Sequence, residues 1–320
     1  MPVRFTSPSL GGQRDGFLKQ GEWEFSAAFR RLYADRWFVG HNIDESAAPF
    51  GKPLYIDIRS LDLSITYGVT RRAKVTLTVP MSDGTHSRFY ADNLRHTVSA
   101  KGVGDINAVA DLWLLDPNMH LDGNIAVGIG VKAPTGQNKI KDNFFAADGS
   151  VTQRVVDQSI QLGDGGWGVI GQAQIYQRIA DGLNGYAFGS YLLSPKKKTG
   201  VISPVPGVQL SVPDVYSVRV GAAYALMPDH GVSVNLGARA DGIPLRDLIG
   251  GGDDGFRRPG HSLYLDAGAA MKIGRQELTF SMPLRLSQNF SRSLSDRQRN
   301  LKGGGDLANY LVFAGYSVRF

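Results

Sequence analysis

The sequence predicts an all-β fold: one transmembrane antiparallel up-and-down β-barrel of about 12 strands, with short periplasmic turns and long extracellular loops. Three observations carry this reading. Apolar residues recur every second position through most of the chain. Short and long connections alternate between those segments. The last segment, NYLVFAGYSVRF, places Tyr310, Val312, Ala314, Tyr316, Val318 and Phe320 on one face. Period two is the signature of a strand with one greasy side.

The crossings are placed near 22–33, 54–67, 73–81, 103–115, 122–133, 167–179, 185–194, 214–226, 231–241, 261–273, 276–288 and 308–320. In the second, Leu61, Leu63, Ile65 and Tyr67 alternate with Asp62, Ser64 and Thr66, and the parity slips near Arg59. The seventh, YAFGSYLLS, has ambiguous parity. The eighth and ninth alternate without fault: Val218 and Val220 flank Arg219, and Leu236 and Ala238 flank Gly237. Segments of about ten residues suit a tilted membrane crossing. Short turns fall at 68–72, 116–120, 181–185, 227–231 and 273–276; polar loops fall at 34–53, 82–102, 134–166, 195–213, 242–260 and 289–307. That arithmetic leaves both ends on the short-turn, periplasmic side. The domain reading is an N-terminal periplasmic segment at 1–21 and a barrel at 22–320.

Composition narrows the chemistry. The chain has 320 residues, no Cys, a net charge of +6 and 40 Gly. Without Cys there is no disulfide, thiolate metal site or Cys nucleophile. No apolar run approaches a membrane helix, but a membrane barrel hides its hydrophobicity in alternation. The basic charges are scattered and read no bases, so no nucleic-acid partner is expected. No signal peptide opens the sequence, and Met1-Pro2 reads as an added start on a mature chain destined for the outer membrane.

Gly163, Gly165 and Gly168 spell G-x-G-x-x-G, the fingerprint of a dinucleotide loop. The fingerprint needs a buried strand before it and a helix after it. Here GVIGQAQIYQRI follows with period two, so no helix is expected and no cofactor. The glycines read instead as the bend where a long outer loop re-enters the sheet, with room made on the inner face.

Three segments resemble one family: GEWEFSAAFRRLYADRWFVG (21–40), the hairpin GDINAVADLWLLDP with GNIAVGIGVKAPTG (104–136), and VVDQSIQLGDGGWG. They are similar to the outer-membrane proteins labelled for a meta-pathway of phenol degradation, often called simply transporters. The resemblance implies a barrel passing small molecules, aromatic ones among them, and brings no catalytic residues with it. The final strand, ending on Tyr316, Val318 and Phe320, resembles the recognition strand that barrel-insertion machinery binds.

Inward-facing charges are the candidate lumen and substrate-path residues: Arg30, Asp62, Lys132, Arg219, Arg239, Asp266 and Arg285. Arg219, Arg239 and Arg285 suggest a descending basic track for weak anions, with Asp266 beside it. The competing reading is a plugged barrel whose charges pair with one another. Lys196–Lys198, Arg257–Arg258, Arg292, Arg297, Arg299 and Lys302 fall in outer loops, where they would meet lipopolysaccharide phosphates or solvent. Trp23 and Trp167 suit interfacial positions, and Trp37 could cover the mouth.

An enzyme is not expected. A lipid-modifying hydrolase is the alternative, since His86-Ser87 and His261-Ser262 pair a base with a hydroxyl. Neighbours on a strand point to opposite faces and cannot cooperate. His86 and His96 in one loop, and Asp253-Asp254 in another, lack dense metal-ligand spacing.

Overall fold

The computed structural model describes residues 18–203, 207–250, 252–306 and 308–320. Most of the expected 1–21 periplasmic segment lies outside the described residues. Of the rest of it, Leu18 is buried and Gly21 N–H donates to Gly68 O at 2.8 Å, tucking the entry under the barrel floor.

Twelve crossings close on themselves. They are β1 (Trp23–Ala34), β2 (Tyr55–Gly68), β3 (Ala73–Phe89), β4 in two parts (Arg95–Val103 and Asn107–Trp113), β5 (Gly123–Lys132) and β6 (Gly168–Ala180). Then follow β7 (Leu183–Leu193), β8 (Val215–Met227), β9 (Val232–Ile243), β10 (Gly260–Ile273), β11 (Gln276–Phe290) and β12 (Tyr310–Arg319). Each pairs antiparallel with the next, and β1 pairs with both β2 and β12. Closure satisfies the backbone polar groups that lipid cannot, and leaves no sheet edge at membrane depth.

The outer face is apolar where it should meet lipid. Phe29, Leu61, Ile65, Leu77, Val220, Leu236, Leu265, Phe280 and Leu284 are all exposed. Trp23 lies 4.6 Å from Tyr67 between ring centroids at the short-turn end, and Tyr33 stacks on Tyr310 at 5.7 Å towards the other. These are the two aromatic levels of a membrane barrel. The candidate recognition face is part of this surface, with Tyr316 and Phe320 exposed.

Two expectations need correction. Parity does not slip at Arg59: from Tyr55 to Gly68 the even positions stay inward without a break. What changes is polarity. Above Ser60, Ile56 and Ile58 point in, while Asp57 and Arg59 point out and join Arg31 in an ion cluster. The span 82–102 is likewise not a loop. β3 runs to Phe89 and β4 starts at Arg95, so only 90–94 turns. There too the outward side carries charge, with Lys101 Nζ 3.6 Å from Asp83, while Val98 and Ala100 face a core. β2, β3 and β4 therefore rise above the bilayer, and their inside becomes the greasy side.

That core includes Leu32, Ile56, Ile58, Tyr90, Val98, Val156, Ile160, Tyr264 and Leu311, with Trp37 among them. Trp37 thus fills the mouth from inside. Arg257 is also inside: it is 1% exposed and bonds Asp247 at 2.8 and 2.7 Å, so it does not face lipopolysaccharide. The outer loops carry small hairpins (Lys141–Phe145 with Val151–Val155, and Lys198–Ile202 with Gln209–Ser211) and one short helix, Leu294–Gln298, started by a capping box at Ser293 and Asp296.

Candidate functional site

The lumen is the candidate site, and its two halves differ. On β1, β2, β11 and β12 the half near the tight turns is lined largely by short side chains, while Trp113 against Tyr176 at 5.7 Å and the Glu24–Arg319 ion pair fill other parts of it. Ser26, Ala28, Ser64, Thr279, Gly315 and Ser317 face inward and are half-buried. Hydroxyls on neighbouring strands bond each other, Ser64 with Thr78 at 2.9 Å and Thr66 with Thr76 at 3.0 Å.

At mid-height the charges gather. Arg219 and Arg239 are direct cross-strand partners on β8 and β9. Side by side, two guanidinia repel, and each is held by a carboxylate: Arg219 Nε to Asp266 at 2.5 Å, Arg239 Nε to Asp241 at 2.8 Å. Arg30 lies 3.7 Å from Asp62 on the facing wall. Aromatic faces interleave with them. Arg239 sits 4.9 Å over Phe313 and Arg219 5.9 Å from Tyr186. Tyr186 itself lies flat on the wall because its neighbours are glycines. A Cβ on Gly221 or Gly237 would come within 2.6 or 2.9 Å of its hydroxyl.

Arg285 departs from the expected track. Tyr264 stands between it and Arg239 in the register, and Arg285 bonds Gln288 Oε1 at 2.8 Å near the outer rim. So Arg219 and Arg239 come together, and Arg285 sits apart.

Above this level the lumen is stopped by a loop. Residues 156–166 turn inward, with Val156, Ile160, Gln161, Leu162, Gly163 and Asp164 buried. Glycines on the wall receive them: a Cβ on Gly84 would lie 3.1 Å from Ile160, and one on Gly102 2.8 Å from Leu162. Lys132 latches the segment. Its ammonium donates to Asp105 at 3.0 Å, Asp164 at 2.6 Å and Gly166 O at 2.8 Å. Asp105 itself occupies the gap that splits β4. A void of about 40 Å³ remains under the plug, beside Arg30, Ser60, Ser82 and Asn107. That is room for water and no more. Arg30 Nε and Nη1 are buried there without a hydrogen-bond partner.

The glycine-rich stretch now has its reason. Gly165 takes φ +72°, and a Cβ on Gly163 would meet Gly136 O at 2.1 Å. Close backbone passage, not phosphate binding, requires them, and β6 follows Gly168 as a strand. Sequence reasoning placed Lys132 in the lumen and kept a plugged barrel as the competing reading, but identified neither Asp105 and Asp164 as its partners nor residues 156–166 as the plug. The one available signal was a polar loop containing Ile160 and Leu162 with no outward role for them.

His86 and His96 lie on β3 and β4, not in a loop, and His96 stacks on Phe145 at 3.5 Å. Asp254 bonds Lys198 at 2.7 Å, and Asp253 lies 3.5 Å from Arg257, so both carboxylates are engaged by cations.

No protein-family model matches the chain, and no curated protein matches it in sequence. Solved structures do. The COG4313 outer membrane channel from Pseudomonas putida F1 superposes with a TM-score of 0.60 at 15% identity, over 95% of this chain and 97% of that one. The P. putida toluene transporter TodX gives 0.47 at 8% identity, over 95% and 91%. The translocator domain of the autotransporter NalP from Neisseria meningitidis gives 0.45 at 12%, over 95% and 90%. The first of these shows that the fold is that of an outer-membrane β-barrel; the other two are too distant to add to it.

Proposed function

We propose that this outer-membrane barrel is a passive uptake channel for small molecules, aromatic or weakly anionic, and that passage requires residues 156–166 to leave the lumen. The observation that carries this is the asymmetry of the interior. The lower half, lined on one side by short hydroxyl-bearing residues, leads up to a stop made of loop rather than sheet, and a loop can move without breaking the barrel. The resemblance to the phenol-pathway transporters supports the aromatic side of the reading, and the fold neighbour named an outer membrane channel supports the channel side. Arg219 and Arg239, stacked with Tyr186 and Phe313, offer a flat, charge-bearing surface suited to an aromatic carboxylate. Outward-facing Tyr316, Val318 and Phe320 are proposed as the face that insertion machinery reads, and the loop lysines Lys196–Lys198 as a contact for outer-leaflet phosphates.

A second reading is a permanently plugged surface barrel. It is favoured by the carboxylate partners that Arg219 and Arg239 already have. Liposome flux of benzoate and phenol separates the two. The comparison is wild type against a variant with both ion pairs neutralised together (Arg219→Gln, Asp266→Asn, Arg239→Gln, Asp241→Asn). The channel reading expects phenol to pass both, and benzoate to pass the variant more slowly. If neither compound enters wild-type liposomes, the plugged barrel is the better account.

A further inference from the structure

A second cavity opens where β11 outruns its neighbour. β12 begins at Tyr310, opposite Leu284, so β11 continues to Phe290 without that partner. The wall is bridged again at Gly40 and Phe290, where backbone bonds of 3.0 Å form in both directions. Between these points lies a cleft of about 450 Å³ lined by Arg36, Phe38, His41, Arg285, Gln288 and Asn309, with Leu286 and Ser287 at its lip.

Arg285 donates to Gln288 Oε1, which fixes the amide so that Nε2 is the other end. Gln288 is 2% exposed, and that Nε2 is buried without a partner. Leaving a buried donor unmade costs about 1–3 kcal/mol, so a ligand acceptor there is stabilising. Asn309 is tied to Asp35 through its own amide nitrogen, and Arg36 lies beside the same carboxylate. Arg285 is stacked 4.7 Å over Phe38, which holds its guanidinium in place. Asp35 offsets one positive charge at 3.8 Å from Arg36, and burial pushes the nearby Asp306 carboxyl up to about 8, so near neutral pH Asp306 adds little further cancellation.

The cleft's height fixes its source of ligand. Asn309 N–H donates to Tyr33 O at 2.8 Å, so the cleft stands directly above the Tyr33–Tyr310 stack. Leu284 and Leu286 are the last exposed apolar residues on β11 before it. An opening one step above the apolar belt lies among lipid headgroups, not among tails or in bulk water.

We propose that this cleft binds a phosphate group of the outer-leaflet glycolipid, with Arg36 and Arg285 meeting its charge and Gln288 Nε2 donating to a phosphate oxygen. The site is separate from the loop lysines and independent of the transport reading, since it rests only on where the barrel sits in the membrane.

The test is native mass spectrometry of the detergent-solubilised full chain. It is titrated with bis-phosphorylated lipid A, with fully dephosphorylated lipid A, and with inorganic phosphate. Wild type should hold the phosphorylated lipid at concentrations about tenfold lower than the dephosphorylated one, the effect of one charge-assisted bond. Arg36→Gln/Arg285→Gln should abolish the difference, and Gln288→Leu, which leaves both guanidinia, should shrink it several-fold. Gel-shift heat modifiability checks that each barrel is folded. If the double variant does not fold, Gln288→Leu decides alone. Equal retention of the two lipids by wild type overturns the proposal, as does wild-type behaviour of the folded variants. Inorganic phosphate that binds as tightly as the lipid and displaces it assigns the cleft to a free anion instead, which also overturns it.

Discussion

Replacing Lys132 by Met should open the barrel without unfolding it. The ammonium makes three hydrogen bonds, two of them to carboxylates whose side chains are 1% and 2% exposed. Removing one partner of a buried ion pair costs about 3–5 kcal/mol, because the remaining charge stays desolvated. The strain has a cheap outlet. Asp164 sits on the plug, which is held otherwise by Val156, Ile160 and Leu162, whose burial is worth about 1.5–3 kcal/mol each at most, by the Gln161 amide on Ile140, and by backbone bonds such as Gly163 N–H to Gln137 O at 2.9 Å. Moving 156–166 outward returns Asp164 to water. The sheet would lose nothing, since its ladders do not pass through that segment. A shift of about 3 kcal/mol changes the open-to-closed ratio more than a hundredfold. In planar bilayers, Lys132→Met should show long-lived open states that wild type visits rarely. Lys132→Met combined with Asp105→Asn and Asp164→Asn should close again, because neutral groups of similar shape carry no stranded charge. The chain has no cysteine, so Gly84→Cys/Ile160→Cys can tether plug to wall cleanly; oxidation should silence the channel and reduction restore it. If Lys132→Met conducts as wild type does in a folded barrel, or the oxidised tether leaves flux unchanged, the latch reasoning fails.

Three more outcomes are expected. Leu236→Arg, on the lipid face, should lower folding yield into bilayers by the equivalent of about 2–4 kcal/mol. Thr279→Arg, half-buried in the lower lumen beside Gly315, should fold nearly as wild type; equal losses would show the inward and outward faces are misassigned. Gly237→Ala should fold poorly, since its Cβ would meet Val220 O at 2.3 Å, while Gly171→Ala, with nothing within 4 Å, should be neutral; parallel refolding titrations check the pair. Asp306 tests pH. Burial raises its folded value to about 8, well above that of an ordinary carboxyl, so the folded state holds the proton longer than the unfolded one. Stability should therefore fall as pH rises from about 4 to 8 and level off above it, by a few kcal/mol. Asp306→Asn should flatten that part of the urea-unfolding profile, and an unchanged slope would mean the carboxyl is hydrated.

The sequence made the lipid-facing strands plain because one physical rule, apolar out and polar in, governs most of β8 to β10 and β11 as far as Arg285, where a bulge at Leu286 and Ser287 turns Gln288 and Phe290 inward. It misled where that rule reverses. In β3 and β4 the outward Asp83, Thr85, Ser87, Ser99 and Lys101 look like loop, because strand patterns are read against lipid and these residues stand above it. β7 was ambiguous for the opposite reason: Tyr186 and Phe188 point inward and Ala187 and Gly189 outward, so size and polarity give conflicting parity. The candidate lumen residues could be assigned to the inner face by counting alone. Their partners could not. Asp105 and Asp164 lie 27 and 32 residues from Lys132, and only the closed barrel brings the three together.

The seam between β1 and β12 bears on how such a chain assembles. Every other junction in the wall joins strands that follow one another along the chain. Those neighbours can zip in sequence, each paying only the entropy of the turn or loop between them, the longest running from 133 to 167. The seam alone joins residues as remote as Glu24 and Arg319, 295 positions apart, through ten backbone pairings finished by a 2.7 Å ion pair. It is therefore the step with the greatest chain-ordering cost and the natural last event. Until it occurs, both of its strands present raw hydrogen-bonding edges to a solvent that cannot satisfy them. A catalyst of insertion has most to offer at that one junction, by lending a temporary neighbour to an edge whose own mate is still 300 residues of chain away in sequence, a separation of about the same size as the whole barrel.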